Sequence, residues 1–223
     1  CDSTKFAFAY FSGYTGFGYR TKMAFINKLT CDTISTHYLG MNNDQFAAGI
    51  DKQKNIYYSL YDTLCKRHLS NFNTLIYKTK HAAAQVSDYQ LLYCDSATAS
   101  VFLVGKKQWP SSYGKIVKAN ASTGAYISNH GSYSDVNGRD LKVWNDYIYV
   151  AWRHLYVGSG TKPFCVTKYK MSTGIADWDK FYPLVGLGTP DVHSGSQQAV
   201  MSLDIDNTGN AYLTGYYGDA NYG

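Results

Sequence analysis

One short β-strand pattern recurs five times along this chain, and its first and last copies are nearly alike. Ala9-Tyr10-Phe11-Ser12-Gly13-Tyr14-Thr15-Gly16 returns as Ala211-Tyr212-Leu213-Thr214-Gly215-Tyr216-Tyr217-Gly218. Between them lie Ile56-Tyr57-Tyr58-Ser59-Leu60, Val101-Phe102-Leu103-Val104-Gly105 and Ile148-Tyr149-Val150-Ala151-Trp152. The second position reads Tyr10, Tyr57, Phe102, Tyr149 and Tyr212, at intervals of 47, 45, 47 and 63 residues. A period of that size means that each repeat is one small sheet that cannot bury its faces alone, so successive units must stack. The 223 residues therefore read as one domain, 1–223, in repeats of about 1–40, 41–90, 91–137, 138–186 and 187–223.

A second column accompanies the first. Lys28, Lys78, Lys118 and Lys168 each end an apolar segment, at spacings of 50, 40 and 50 residues. Cys165 falls in this frame beside Phe25 and Leu75, which makes it a small core residue. Two units continue into matching turns, Ser122-Thr123-Gly124 and Ser172-Thr173-Gly174, where Gly suits positive φ. A weak strand follows each turn. Another strand precedes the aromatic column, as in Ala47–Asp51, Asp140–Trp144 and Val200–Asp204, joined to it by short polar turns. Labelled A to D, the strands run BCD, ABCD, ABCD, ABCD, AB. The expected fold is an all-β propeller of four-stranded antiparallel blades with incomplete terminal blades. The long last interval holds an insertion, Leu184–Gln198, which reads as a loop on a face suited to binding.

The segment Leu203-Asp204-Ile205-Asp206-Asn207-Thr208-Gly209-Asn210-Ala211-Tyr212-Leu213-Thr214-Gly215-Tyr216 resembles the SBBP-type β-propeller repeat, whose core reads roughly φ-x-φ-D-x-x-G-N-φ-Y-φ-T-G-Y. Ala9–Tyr14 matches in part, and the three middle units share only the apolar pattern. The resemblance implies a repeat propeller of the kind common on secreted or surface proteins of microbes. It carries no fixed catalytic residues. The WD40 type fits less well, because Trp178-Asp179 stands alone.

Composition narrows the function. The net charge is only +5, and the basic residues are spread out as pairs near turns, so a nucleic-acid partner is not expected. No apolar run is long enough for a membrane-spanning helix. Cys1, Cys31, Cys65, Cys94 and Cys165 contain no CxxC pair, which argues against a zinc site. The opening Cys1 suggests a processed or lipid-modified end. Low charge, abundant Tyr and the sequon Asn120-Ala121-Ser122 lean towards an extracellular glycoprotein with Asn120 as acceptor.

Candidate chemistry is sparse. Asp204–Gly209 opens like a calcium loop, yet Gly215 stands where the bidentate Glu belongs, so a hairpin turn explains it better. His37, His68, His81, His130, His154 and His193 show no metal-pair spacing. There is no Gly-x-Ser-x-Gly elbow, no phosphate-binding loop and no Asp-box. Trp109, Trp144, Trp152 and Trp178 could stack on sugars, although propeller aromatics more often pack between blades. These features predict a non-enzymatic extracellular or cell-surface propeller with a structural or adhesive role and no cofactor. A surplus terminal B strand further suggests self-association into a filament-like assembly, or contact with other surface proteins. A carbohydrate-binding module is the alternative, and a glycan hydrolase or lyase a more distant one.

Overall fold

The structure, a computed structural model, describes residues 5–15, 18–42, 46–107, 113–134, 136–154, 164–182 and 197–218. Among them are seventeen strands, one short 3-10 turn at Ala82–Ala84 and no α-helix. The strands form five sheets in sequence order. Sheet 1 is β1 (Lys5–Thr15), β2 (Gly18–Asn27) and β3 (Thr33–Asn42). Sheet 2 is β4 (Ala48–Ile50), β5 (Asn55–Leu60), β6 (Thr63–His68) and β7 (Asn71–Lys80). Sheet 3 is β8 (Asp88–Asp95), β9 (Ser100–Lys107), β10 (Tyr113–Asn120) and β11 (Tyr126–Ser134). Sheet 4 is β12 (Val136–Trp144), β13 (Tyr147–His154), β14 (Phe164–Lys170) and β15 (Ala176–Tyr182). Sheet 5 is β16 (Gln197–Ile205) and β17 (Ala211–Gly218). This is the predicted series BCD, ABCD, ABCD, ABCD, AB. Pairing is antiparallel throughout sheets 1, 2, 4 and 5.

The chain divides into two compact units, Cys1–Leu103 with Lys118–Ser128, and Val104–Val117 with Asn129–Gly223. In the first, Met23, Phe25 and Leu39 of sheet 1 pack against Ile56, Tyr58, Leu60, Cys65, Leu69 and Phe72 of sheet 2. The Phe25 and Phe72 rings meet edge to face at 5.2 Å. Burying each such side chain contributes about 1.5–3 kcal/mol. The B strand β5 is buried on both faces from Ile56 to Leu60. A strand covered on both sides reads as a continuous apolar run rather than an alternation. Sheet 3 approaches sheet 2 closely: a Cβ on Gly49 would lie 2.7 Å from the Leu92 side chain.

In the second unit, Tyr149 and Ala151 of β13 and Leu203 of β16 are buried, with Trp144, Tyr147, Trp178 and Leu213 against them. Asp140 ties β12 to β16 by accepting hydrogen bonds from Ser202 Oγ (3.0 Å) and the Leu203 amide (2.8 Å).

Turns recur as closely as strands. At the C–D turn, the Gly124 amide donates to Asn120 O and the Gly174 amide to Lys170 O, both at 2.8 Å. Cys31 occupies the same place in sheet 1, donating to Asn27 O at 2.9 Å, and carries φ 59° where the other two are glycine. At the A–B turn, Lys54 (φ 64°) and Ala99 (φ 49°) stand where sheet 5 has Gly209 (φ 89°). No helix among the described residues is long and apolar enough to cross a membrane.

Candidate functional site

The residues that recur with chemistry attached are an aspartate, an asparagine and a tyrosine around the A–B turn. Asp51 leads into β5. Its Oδ1 accepts the Asn55 amide at 2.8 Å, and its Oδ2 accepts Asn55 Nδ2 at 2.7 Å and the Tyr57 hydroxyl at 3.0 Å. Asp206 repeats this ahead of β17. It accepts the Asn210 amide and Asn210 Nδ2 at 2.9 Å each, and the Tyr212 hydroxyl at 3.0 Å. Thr208 adds its amide and hydroxyl to Asp206 Oδ1. The Asn210 side chain above all, then its amide and Thr208, hold the Asp206 carboxyl well below its usual range. This turn is the segment that opens like a calcium loop. Its carboxylate is already committed to five donors from its own hairpin, as a hairpin turn requires.

A lysine ladder crosses the aromatic column, and it keeps only Lys118 and Lys168 of the column Lys28, Lys78, Lys118 and Lys168. Lys28 lies beyond the end of β2, and Lys78 lies on the D strand β7. Strand pairing sets Lys22 opposite Tyr10, Lys66 opposite Tyr57 and Lys168 opposite Tyr149. Lys66 Nζ stands 5.0 Å from the Tyr57 ring centre, Lys118 Nζ 5.5 Å from Phe102, and Lys168 Nζ 3.9 Å from Tyr147 and 5.9 Å from Tyr149. Lys118 and Lys168 therefore cover rings on inner strands. Lys168 also pairs with Asp177 at 2.8 Å. By the same correction Leu75, on β7, does not occupy the place that Cys165 holds on β14. It is 40% exposed on β7, whereas Cys165 is buried.

In the first unit these elements converge on a cleft of about 210 Å³ between sheets 2 and 3, lined by Asp51, Asn55, Tyr57, Lys66, Cys94 and Asp95 among others. Ala121 also lines it, and its carbonyl is a shared acceptor. Lys66 Nζ donates to that oxygen at 3.0 Å, and the Tyr77 hydroxyl lies 3.4 Å from it. Tyr57 has one hydroxyl proton. The oxygen is 3.3 Å from Ala121 O and 3.0 Å from Asp51, so the proton goes to the carboxylate. Burial, then the bond to Asp51, push this hydroxyl far above its usual range. Burial, with Asp51 next, does the same to the Cys94 thiol. Tyr57 is thus a fixed neutral donor and Cys94 a neutral thiol. The arrangement can bind polar groups and clamp two sheets. It offers no activated nucleophile.

His37, His81 and His130 sit at sheet contacts. The His37 ring lies 4.8 Å from Phe72, and His81 is buried between the Tyr89 hydroxyl and Gly124 O, at 2.7 Å from each. A Cβ on Gly174 would stand 2.6 Å from His130 Nδ1. His68 contacts Ser70 on the surface. No three His, Cys, Asp or Glu side chains form a metal-sized group among the described residues. Trp152 is buried and donates to Thr167 at 3.2 Å, Trp144 packs on Gly209, and Trp178 meets Tyr149 edge to face. Asn120 Oδ1 accepts the Ser122 and Thr123 amides, as Asn27 Oδ1 does those of Leu29 and Thr30. Cys1, Trp109, and residues 184–196 with His193 lie outside the described residues. The sequence reading missed Lys22 and Lys66. Their signal is a cross-strand register, which no fixed sequence period reveals.

The fold and these contacts define a repetitive antiparallel sheet protein whose recurring polar residues join neighbouring strands. Its backbone is similar to a crystal structure of the extracellular domain of a B. thetaiotaomicron protein assigned provisionally to the one-component systems. That superposition has a TM-score of 0.53 over 91% of this chain at 12% identity, and this chain spans 25% of that one. A protein of unknown function from Bacteroides caccae gives a TM-score of 0.46 at 13% identity, over 95% of this chain and 82% of that one. A β-propeller domain from Myceliophteria thermophila gives 0.48 at 7% identity, over 86% and 62%. Neither of the last two is close enough to carry weight. No family model matches the sequence, and no curated protein matches it.

Proposed function

We propose that this chain is β-propeller sequence of the SBBP-repeat type, exposed on or outside the cell, with a structural or adhesive role and assembly through its own surface. One observation carries the reading. The polar residues that recur, Asp51-Asn55-Tyr57, Asp206-Asn210-Tyr212 and the lysines over the aromatic column, are engaged in joining strands. Recurrence of such locks selects for stacking, not turnover. The extracellular placement of the similar B. thetaiotaomicron domain supports the location. Asn120 is the glycan acceptor in this reading.

Electron microscopy of the purified chain should show blades about a central axis. A membrane-impermeant amine reagent should label exposed lysines such as Lys78 on intact producing cells. An unbladed particle, or labelling only after lysis, would sink the reading.

Glycan binding is the second reading, favoured by the cleft beside Asp51, where Asn55, Ser96, Ser100 and Ser122 present amide and hydroxyl groups of the kind sugars pair with. Ser96→Trp should then abolish retention on a polysaccharide column without changing the fold. Equal retention would remove this reading.

A further inference from the structure

Sheet 5 ends on the B strand β17, which pairs with β16 on one side and with no other strand among the described residues. In sheets 2, 3 and 4 the B strand lies between an A and a C strand. The C strand there sets a lysine over the aromatic column: Lys66 stands 5.0 Å from the Tyr57 ring, Lys118 5.5 Å from Phe102 and Lys168 5.9 Å from Tyr149. Those three aromatics are buried, whereas Tyr212, the next member of the column, is 57% exposed. Its hydroxyl is held by Asp206 as that of Tyr57 is held by Asp51, so the ring is fixed in the pose that takes a lysine in sheet 2. The charge fits as well. Residues 197–218 carry Asp204 and Asp206 and no Lys, Arg or His, in a chain whose net charge is +5.

We infer that the open edge of β17 takes a lysine-bearing strand from a separate protein, with the lysine over Tyr212. The strand is of the C type, antiparallel to β17, with its lysine opposite Tyr212 as Lys168 is opposite Tyr149. A second folded copy of this chain does not supply it, because β2, β6, β10 and β14 each lie between two strands. The docking goes beyond the assembly reading above and does not depend on it.

The backbone of the edge is set for this partner. The Asp206 amide donates to Asn210 O across the A–B turn, and the register continues through Ile205↔Ala211 and Asp204↔Tyr212. Antiparallel pairs alternate between hydrogen-bonded and open. Tyr212 therefore directs its backbone groups to β16, while Ala211 and Leu213 turn theirs outward. An arriving strand bonds to those outward groups and brings its lysine into the closer, open position against Tyr212. Sheet 2 has the same arrangement. The Ser59 amide donates to Ala47 O, so Tyr57 directs its backbone to β4 and meets Lys66 in the open position. Main-chain bonds supply the affinity of such strand addition, and the side chains supply its specificity.

The probe is a fluorescently labelled peptide copying β14, Phe164–Lys170 with Cys165→Ser, titrated into the intact chain and followed by anisotropy. It should bind saturably. A peptide with Lys168→Gln should bind about three- to fivefold more weakly, the loss of one cation–π contact. Ala211→Pro in the protein should abolish binding, because it removes an outward N–H and keeps the pairing with β16. Circular dichroism confirms the folding of that variant, and the two peptides test the lysine on the wild-type protein. No saturable binding, equal binding of the two peptides, or binding unchanged by Ala211→Pro overturns the inference. So does sedimentation of the chain alone as a dimer that the peptide dissociates, which gives the edge to a second copy. A chain that binds the peptide and stays monomeric supports the docking edge while defeating self-assembly.

Discussion

Lys66 Nζ stands 5.0 Å over the ring of Tyr57, its cross-strand partner, and donates to Ala121 O at 3.0 Å. One ammonium group thus joins β5, β6 and the C–D turn of sheet 3. The cation–π contact is worth about 0.5–1 kcal/mol, and the hydrogen bond about 1 kcal/mol. Lys66→Met keeps the stem and removes both, so it should cost about 1–2 kcal/mol in urea unfolding. Lys78→Met on the exposed β7 edge should change stability by less than about 0.5 kcal/mol. Equal effects of the two would refute the corrected register.

The positive-φ turns predict gains. Cys31, Lys54 and Ala99 hold left-handed backbone that glycine adopts at Gly124, Gly174 and Gly209. A residue with a Cβ loses about 1–2 kcal/mol there, of which glycine's extra chain entropy returns part. Cys31→Gly and Ala99→Gly should each raise stability by about 0.5–1 kcal/mol. Gly124→Ala should do the reverse by more than about 1 kcal/mol, because its Cβ would run into the Tyr77 ring. Thermal melts of the three single variants measure this.

His81 sets a pH dependence. Gly124 O can only accept, so Nε2 carries the proton and Nδ1 accepts from the Tyr89 hydroxyl. Burial lowers the pKa of the ring, against smaller raising effects of the Gly124 bond and Asp62. The folded chain therefore binds the proton less readily than the unfolded one. Its contribution is full above the unfolded value of about 6.5 and is lost as pH falls towards the folded value. The melting temperature should drop between about pH 7 and 5, and His81→Gln should flatten that slope. A slope the same in both proteins would count against it.

Thiol reactivity should separate the cysteines. Cys31 is exposed, while burial pushes Cys65 up to about 11 and Cys165 up to about 12. Brief treatment with iodoacetamide, read by peptide mass spectrometry, should modify Cys31 and spare Cys65, Cys94 and Cys165 until the chain unfolds. Modification of Cys65 in the folded protein would show that its strand opens.

The strand series and its aromatic column were determined by the sequence alone. Alternation, turn residues and a period near 47 residues are local properties, and hairpin meanders place consecutive strands side by side. So Tyr57, Phe102 and Tyr149 are the buried centres of β5, β9 and β13, as their column implies. Which lysine stands opposite which aromatic residue was decided by tertiary structure. From aromatic to lysine the chain runs 12 residues in Tyr10–Lys22, 9 in Tyr57–Lys66, 16 in Phe102–Lys118 and 19 in Tyr149–Lys168. Strand register holds Tyr10 with Lys22, Tyr57 with Lys66 and Tyr149 with Lys168 while the B–C connection changes length, so spacing points to Lys28 and Lys78, whereas geometry selects Lys22 and Lys66. The same holds for the cleft. Asp51 and Tyr57 lie on one hairpin, but Ala121 reaches them from 64 residues beyond Tyr57 only because sheet 3 packs on sheet 2.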